Sequence, residues 1–340
     1  MTKPSHLKAM KKNLLSAVED LAIAVNTNRR LSNAEQAVIE ATSNLPSASF
    51  GYWIKSMRAR FNNFIWTPPS NLDRAASYTA NRPTWLELLC RDGYRREQTL
   101  RALTGPAPNA LLLTLAIRMF NDGVPQIRDA ARMQVPLIIA HSNIECVTEA
   151  ICQVLIHWRT WGRITELERQ VLLNTVSQEP LAGALIRKLM TTAAGPMPSL
   201  FSQLGRTSML DQSLEDMAQQ AVQPAIRAKA YRSLLEGRIT WVEKREWQVV
   251  DRTSGKREPV TVIGERTFQV SSDYWELLEQ SSTDTSSVVR RVAAGVLIKN
   301  LTKIGAKAIP LASQFAADKS TAVSERGEFA LGKLRQMEWF

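Results

Sequence analysis

The chain has 340 residues, 44% of them hydrophobic and 22% charged, with 43 lysines and arginines against 32 aspartates and glutamates for a net charge of +11. That length exceeds one average domain, and the composition excludes general disorder, a collagen and a low-complexity scaffold. The longest uncharged stretch, Leu189 to Gly205, contains Pro196 and Pro198 and several Ser and Thr, so no segment offers the run of about 18 apolar residues that a membrane span needs.

In chain order, Leu7, Met10, Leu14, Val18, Leu21 and Val25 recur at three- and four-residue intervals and predict an amphipathic helix over 7–26. Glu19 and Asp20 interrupt its apolar run, which argues against a signal peptide and for a cytoplasmic protein. Ser32, with Glu35 three positions on, predicts a capping box that opens a second helix. A third helix over 50–66 places Phe50, Trp53, Ile54, Met57, Phe61, Phe64 and Ile65 on one face, with Lys55, Arg58 and Arg60 largely off it. Thr67, Pro68, Pro69 and Ser70 are expected to end it, since proline cannot continue the hydrogen-bond ladder. So large an apolar face favours docking as an N-terminal cap over exposure as a membrane-surface or partner-binding helix.

From about Arg82 the pattern becomes one of helix pairs. Asp92-Gly93 and Asp122-Gly123 stand 30 residues apart, each preceded by a leucine-rich segment (Trp85, Leu86, Leu88, Leu89; then Leu111, Leu112, Leu113, Leu115, Ile117) and followed by an arginine-rich one. Near the C-terminus Asp284, Val289, Leu297 and Lys299 recur 34 residues later as Asp318, Val323, Leu331 and Lys333. Periods of about 20 to 50 residues signal an array of supersecondary units. The shared motif is an aspartate, an aliphatic-Arg pair five residues on, and then a small residue: Asp122, Ile127-Arg128, Ala131, and again Asp284, Val289-Arg290, Ala293. Asp318 and Val323 are followed by Ser324 and Gly327, Asp92 by Gln98, while Ile226-Arg227 with Ala230 and Ile186-Arg187 keep the pair without the aspartate.

These residues resemble the HEAT-type repeat over residues 80–340. The resemblance implies an all-α fold, an α-solenoid of antiparallel helix pairs in which the second helix of each pair begins near the aspartate. It implies a structural ladder between successive repeats from Asp122, Arg128, Asp284 and Arg290, with the small residue letting neighbouring helices approach closely. Independently, one amphipathic helix pair cannot bury its own face, whereas several stacked pairs form a continuous core.

Between Glu246 and Val270 the residues Trp247, Val249, Val260, Val262, Phe268 and Val270 alternate around a Ser-Gly turn, which predicts a β-hairpin. Its insertion accounts for the 63 residues that separate Ile226 from Val289. Such insertions often lie on a binding face, so the hairpin is expected as a DNA-inserting wedge, a partner contact or a structural flap. The expected organisation is a basic helical cap over 1–78, repeats over 79–240, the hairpin over 241–271 and further repeats over 272–340.

Charge is uneven: residues 1–142 carry a net +8 and the remaining 198 only +3. A basic half of this kind attracts nucleic acid, an anionic lipid surface or an acidic protein. The three scattered cysteines, Cys90, Cys146 and Cys152, suggest free thiols in a reducing compartment. Cys146 and Cys152, six residues apart on one predicted helix, face apart, so no metal site is expected from them with His141 and His157. No cofactor is expected either, for the chain lacks a phosphate loop, a dinucleotide fingerprint, a zinc-protease helix and a nucleophile elbow. His157 lies in an aromatic and basic segment, Ile156 to Arg163, and reads as a histidine beside core tryptophans.

The leading expectation is a HEAT-like scaffold without catalysis that binds nucleic acid through a basic surface, as a subunit of a larger complex or alone. Arg95, Arg96, Arg101 and Arg132 are expected as its phosphate contacts, from second helices that by the same resemblance line a concave face. The rival is a protein-interaction scaffold holding an acidic or helical partner against the near-neutral C-terminal half. A third reading comes from alkylpurine DNA glycosylases built of HEAT-like helices, which are similar in repeat type, basicity and tryptophan content. Their aromatic-plus-aspartate site does not carry over, since Trp158 and Trp161 have no aspartate one turn away.

Overall fold

The structure, a computed structural model, describes residues 4–65, 83–251, 253 and 255–337. It is mostly helical, with one small antiparallel sheet of two strands among the described residues. The chain divides into two compact units, Met1–Ala184 and Leu185–Phe340.

In the first unit, helix α1 (Pro4–Thr27) packs on α2 (Leu31–Ser43) and α3 (Phe50–Phe64). The α1 stripe is buried from Leu14 to Val25, while Leu7 at its start is exposed. The α2 start differs from expectation. Arg30, in the left-handed region at φ 54°, precedes a helix that already includes Ser32, so no Ser32–Glu35 box forms and no side chain caps the end. Capping boxes occur instead at Thr84–Glu87, opening a 3-10 turn (Trp85–Leu89), and at Thr165–Glu168, opening α8 (Glu166–Val176). On α3, Phe50, Trp53, Ile54, Met57 and Phe61 are buried against the unit, while Phe64 and the following Ile65 are half-buried. Trp66 and the residues expected to stop the helix, Thr67 to Ser70, lie outside the described residues.

Between them come α4 (Gly93–Ala102), α5 (Ala110–Ile117), α6 (Pro125–His141) and α7 (Ile144–His157). Alternate helices touch: α4 packs on α6, α6 on α8, and α5 on α7. Every residue of α5 is buried, in keeping with a sequence that is apolar all round. Helix α9 (Leu181–Thr191) lies across the division between the units.

The second unit repeats the alternation. Its elements are α10 (Met197–Leu204), α11 (Leu214–Gln220), α12 (Pro224–Glu236), strands β1 (Arg238–Asp251) and β2 (Lys256–Thr267), α13 (Tyr274–Ser282), α14 (Ser287–Lys299), α15 (Ile309–Ala316) and α16 (Thr321–Gln336). Helices α12, α14 and α16 touch in succession, while α11, α13 and α15 each pack on the helix that follows. Small residues make those contacts close. Ala131, Ala230 and Ala293 are fully buried, and a Cβ on Gly327 would fall 2.1 Å from the Ala316 backbone nitrogen.

The hairpin pairs from Arg238↔Thr267 to Asp251↔Lys256, with bulges after Val242 and Val249. Its base is anchored. Ile239 is buried over Gly205, where a Cβ would come within 2.4 Å of its Cγ2, and Arg266 forks onto the Asp211 carboxylate at 2.9 and 2.6 Å. Its far half is in solvent, with Trp247 69% exposed and Val249, Val250 and Val260 also exposed. Among the described residues no helix is long and apolar enough to cross a membrane.

Candidate functional site

The four arginines expected to meet phosphate do not share one environment. Arg95 and Arg96 are buried. Arg95 Nε donates to Glu87 Oε1 at 2.7 Å, and Arg96 forks onto Asp122 through Nε and Nη2 at 2.9 and 2.8 Å. Arg132 is held by Glu168 and Asp129, and only Arg101, paired with Glu97 one turn away, lies at the surface. A guanidinium whose donors are committed to a buried carboxylate has few left for a phosphate, so Arg95, Arg96 and Arg132 act as structural groups here.

Arg96 belongs instead to a device repeated along the chain. Arg96, Arg128, Arg227 and Arg290 each donate through Nη1 to the carbonyl six residues before, those of Cys90, Asp122, Ala221 and Asp284, at 2.8 to 2.9 Å. Three of them also fork forward onto the aspartate that precedes the next helix of the row: Arg96 to Asp122, Arg227 to Asp284 and Arg290 to Asp318. Each of these aspartates turns its Oδ1 to the amide two residues on, Val124, Ser286 or Ser320, which fixes the helix start. Arg128 departs from the pattern, facing Glu168 at 3.8 Å while Arg132 makes the closer contact. Burial alone would raise the Asp284 carboxyl, but hydrogen bonds from Arg227 and the Ser286 amide outweigh it and hold it below the usual range. Asp318 is lowered chiefly by its bond from Arg290.

Three other arginines of the first unit have no such partner among the described residues. Arg58 projects from the exposed edge of α3, Arg118 opens the 3-10 turn Arg118–Asn121 after α5, and Arg163 sits in the segment between α7 and α8. Asn121 Oδ1 pins that segment by accepting the amides of Arg163 at 2.8 Å and Ile164 at 3.1 Å. All three arginines line one cavity of about 310 Å³ together with Arg96 and Asp122. Asp122 is neutralised by Arg96, and among the described residues Arg58, Arg118 and Arg163 have no carboxylate partner, so the wall carries three positive charges in excess. Burial depresses the Arg118 guanidinium below its ordinary value and the Arg58 cation depresses it further, yet arginine stays charged at neutral pH. Like charges held together in partial burial are relieved by an anion.

A second cavity, of about 580 Å³, shares Arg118 and Asn121 with the first. Tyr52, Trp161 and His157 line it, with Gln153 and Thr114 as neutral polar groups and no carboxylate in the wall. Arg118 lies 6.0 Å from the Trp161 ring centre, within cation–π range. Glycosylase chemistry would need an aspartate here to stabilise a sugar cation.

Elsewhere, Lys229 is half-buried, has no carboxylate partner among the described residues and donates to Ser202 Oγ at 2.7 Å, its ammonium depressed by burial and then by Arg232. The pair has the residue types of an acyl-transfer dyad, but Ser202 is itself buried, and the contact reads as one that satisfies a buried lysine. Cys146 and Cys152 share α7, and burial with Glu149 pushes the Cys146 thiol up to about 11. Among the described residues no three of His, Cys, Asp and Glu gather as a metal-binding set. Compared with protein-family models, with curated proteins and with solved structures, the chain matches none.

Sequence reasoning singled out the tryptophan-rich segment around Arg163 and set Arg58 off the apolar face of α3, but it did not join them to Arg118. The missing information is pairing across the fold. Arg96 is neutralised by an aspartate 26 residues away, and nothing local to Arg96 or Arg118 says which of the two is free.

Proposed function

We propose that the protein is a HEAT-like α-solenoid scaffold that binds nucleic acid through the phosphate backbone, with the Arg58, Arg118 and Arg163 wall as its principal contact. Support for the repeat class comes from the alternating helix contacts and from the arginine–aspartate link that recurs at Arg96, Arg227 and Arg290. The observation that carries the binding assignment is the trio of arginines around one cavity that, among the described residues, have no carboxylate partner. Guanidinium groups match phosphate bidentately, and such contacts position a nucleic acid without reading its sequence. Arg101 stays in the contact set as a peripheral cation, since its exposed pair with Glu97 exchanges readily for phosphate.

The test is an anisotropy titration of labelled duplex DNA with the wild type and with the double variant Arg58→Ala/Arg163→Ala. Both side chains are exposed, so the fold is retained, and affinity falls at least tenfold if each contact is worth a typical charge-assisted hydrogen bond of about 1.5 to 3 kcal/mol. Equal affinity for wild type and variant removes the wall from the interface. The protein-interaction reading draws on a separate observation, the exposed apolar residues on the outer half of the hairpin. It becomes the better account if the wild type binds neither DNA nor RNA.

A further inference from the structure

The arginine wall accounts for one of the two adjoining cavities and leaves the other without an occupant. That second cavity differs in chemistry: it is nearly twice the volume of the first, lined by the aromatic side chains of Tyr52 and Trp161, and uncharged apart from the Arg118 it shares. Among the described residues the Gln153 side chain makes no hydrogen bond, and Asn121 spends its carbonyl oxygen on the Arg163 and Ile164 amides, which leaves its NH₂ group uncommitted. Aromatic faces, free amides and an adjacent cationic wall are the complements of a base, its hydrogen-bonding edge and its phosphate. A bare phosphate or sulfate would fill a small part of about 580 Å³ and use none of the amides. A lipid headgroup would need an apolar slot continuing from the anion site, whereas Gln153, Thr114 and Asn121 interrupt this one.

Resting on the phosphate-binding reading above, we infer that the two cavities together take one unpaired nucleotide of a nucleic-acid chain. Its phosphate lies against Arg58, Arg118 and Arg163, and its base enters the cavity between Tyr52 and Trp161. Arg118 stands in both walls, where phosphate and base meet through the sugar. A base drawn into this cavity cannot remain stacked in a duplex, so the site favours single strands and unpaired ends over continuous double helix. Tyr52 is 49% exposed, and although Lys11 lies over one part of its ring, 5.2 Å from the centre, the rest is open to a base.

The experiment uses the full chain and three probes: a single-stranded oligonucleotide, a blunt duplex of the same length, and a mononucleotide as competitor. The single strand binds more tightly than the duplex. Tyr52→Ala weakens the single strand by roughly 5- to 150-fold, the range for loss of one base–aromatic contact, and leaves the duplex unchanged. Gln153→Met, which removes the amide at similar volume, acts in the same direction and serves if circular dichroism shows Tyr52→Ala misfolded. Arg58→Ala/Arg163→Ala weakens both probes. Equal binding of single strand and duplex, with Tyr52→Ala and Gln153→Met silent, overturns the nucleotide site while leaving phosphate binding intact. Failure of both probes to bind overturns the phosphate reading too, and a mononucleotide that binds as tightly as the oligonucleotide overturns the assignment to a chain.

Discussion

Two arginines five residues apart illustrate how much a single side chain depends on what the fold brings to it. Arg96 and its partner Asp122 are both buried, whereas Arg101 lies on the surface beside Glu97. Arg96→Ala therefore strands a buried carboxylate and should cost about 3 to 5 kcal/mol, while Arg101→Ala should change stability by less than about 0.5 kcal/mol. Urea denaturation of both variants measures the contrast, and a near-neutral Arg96→Ala would show the link to be decorative. The motif itself was legible in the sequence, but its register was not. Aligning Asp92-Gly93 with Asp122-Gly123 placed Arg96 on a presumed binding face. The arginine carbonyl contacts align Arg96 with Arg128, so Cys90 occupies the place of Asp122 and Asp92 serves as an ordinary N-cap. Only the hydrogen bonds distinguish those two alignments.

At the scale of elements, the helices that were read well are those whose periodicity faces one core. The α3 pattern gave its buried face residue for residue from Phe50 to Phe61, because apolar spacing is enough when a helix has one partner surface. The Ser32–Glu35 box failed because a capping signature is local, and here the chain enters α2 through the left-handed Arg30, two residues before Ser32. Close helix contacts yield a second prediction. Gly327→Ala would gain helix propensity worth up to about 1 kcal/mol, but its methyl must displace the Phe315 and Ala316 backbone rather than a flexible side chain. A net loss of about 1 to 3 kcal/mol is expected by thermal denaturation, and a stabilised variant would mean that α15 and α16 are not in close contact.

The same elements make the molecule acid-sensitive. Asp318 is lowered first by Arg290, and in Asp284 and Glu168 hydrogen bonds overcome the opposing effect of burial. A carboxyl with a depressed folded-state pKa binds protons more readily when unfolded, so its contribution is complete above about pH 5 and is lost as pH falls through the folded-state values. Denaturation midpoints should therefore stay level from about pH 7 to 5 and drop below about pH 4. Arg290→Ala should flatten the drop, because Asp318 then titrates nearly as it does in the unfolded chain.

For the whole molecule, the sequence suggested a basic N-terminal half, but division into units spreads the charge. The first unit carries 21 basic and 15 acidic side chains and the second 22 and 17. Net charge therefore does not single out either unit, and which arginines are paired became visible only with the fold. The hairpin was legible from its two-residue alternation, including its place between α12 and α13, although its second strand ends at Thr267, so Phe268 and Val270 lie beyond it. Its outer half supports no core, so replacing residues 245–260 by a short turn should leave the helical circular dichroism and the melting temperature nearly unchanged. A large loss of stability on that deletion would give the exposed Trp247 a structural role.

The central claim is that unneutralised arginines of the first unit hold a phosphate backbone, and salt dependence tests it most directly. Each phosphate contact with duplex DNA contributes about 0.9 to the slope of log affinity against log salt. The wild type should show a steep negative slope, and Arg58→Ala/Arg163→Ala should reduce its magnitude by about 1.8 while weakening all sequences alike. A slope that is the same in both proteins, or no duplex binding at about 50 mM salt, would contradict the account.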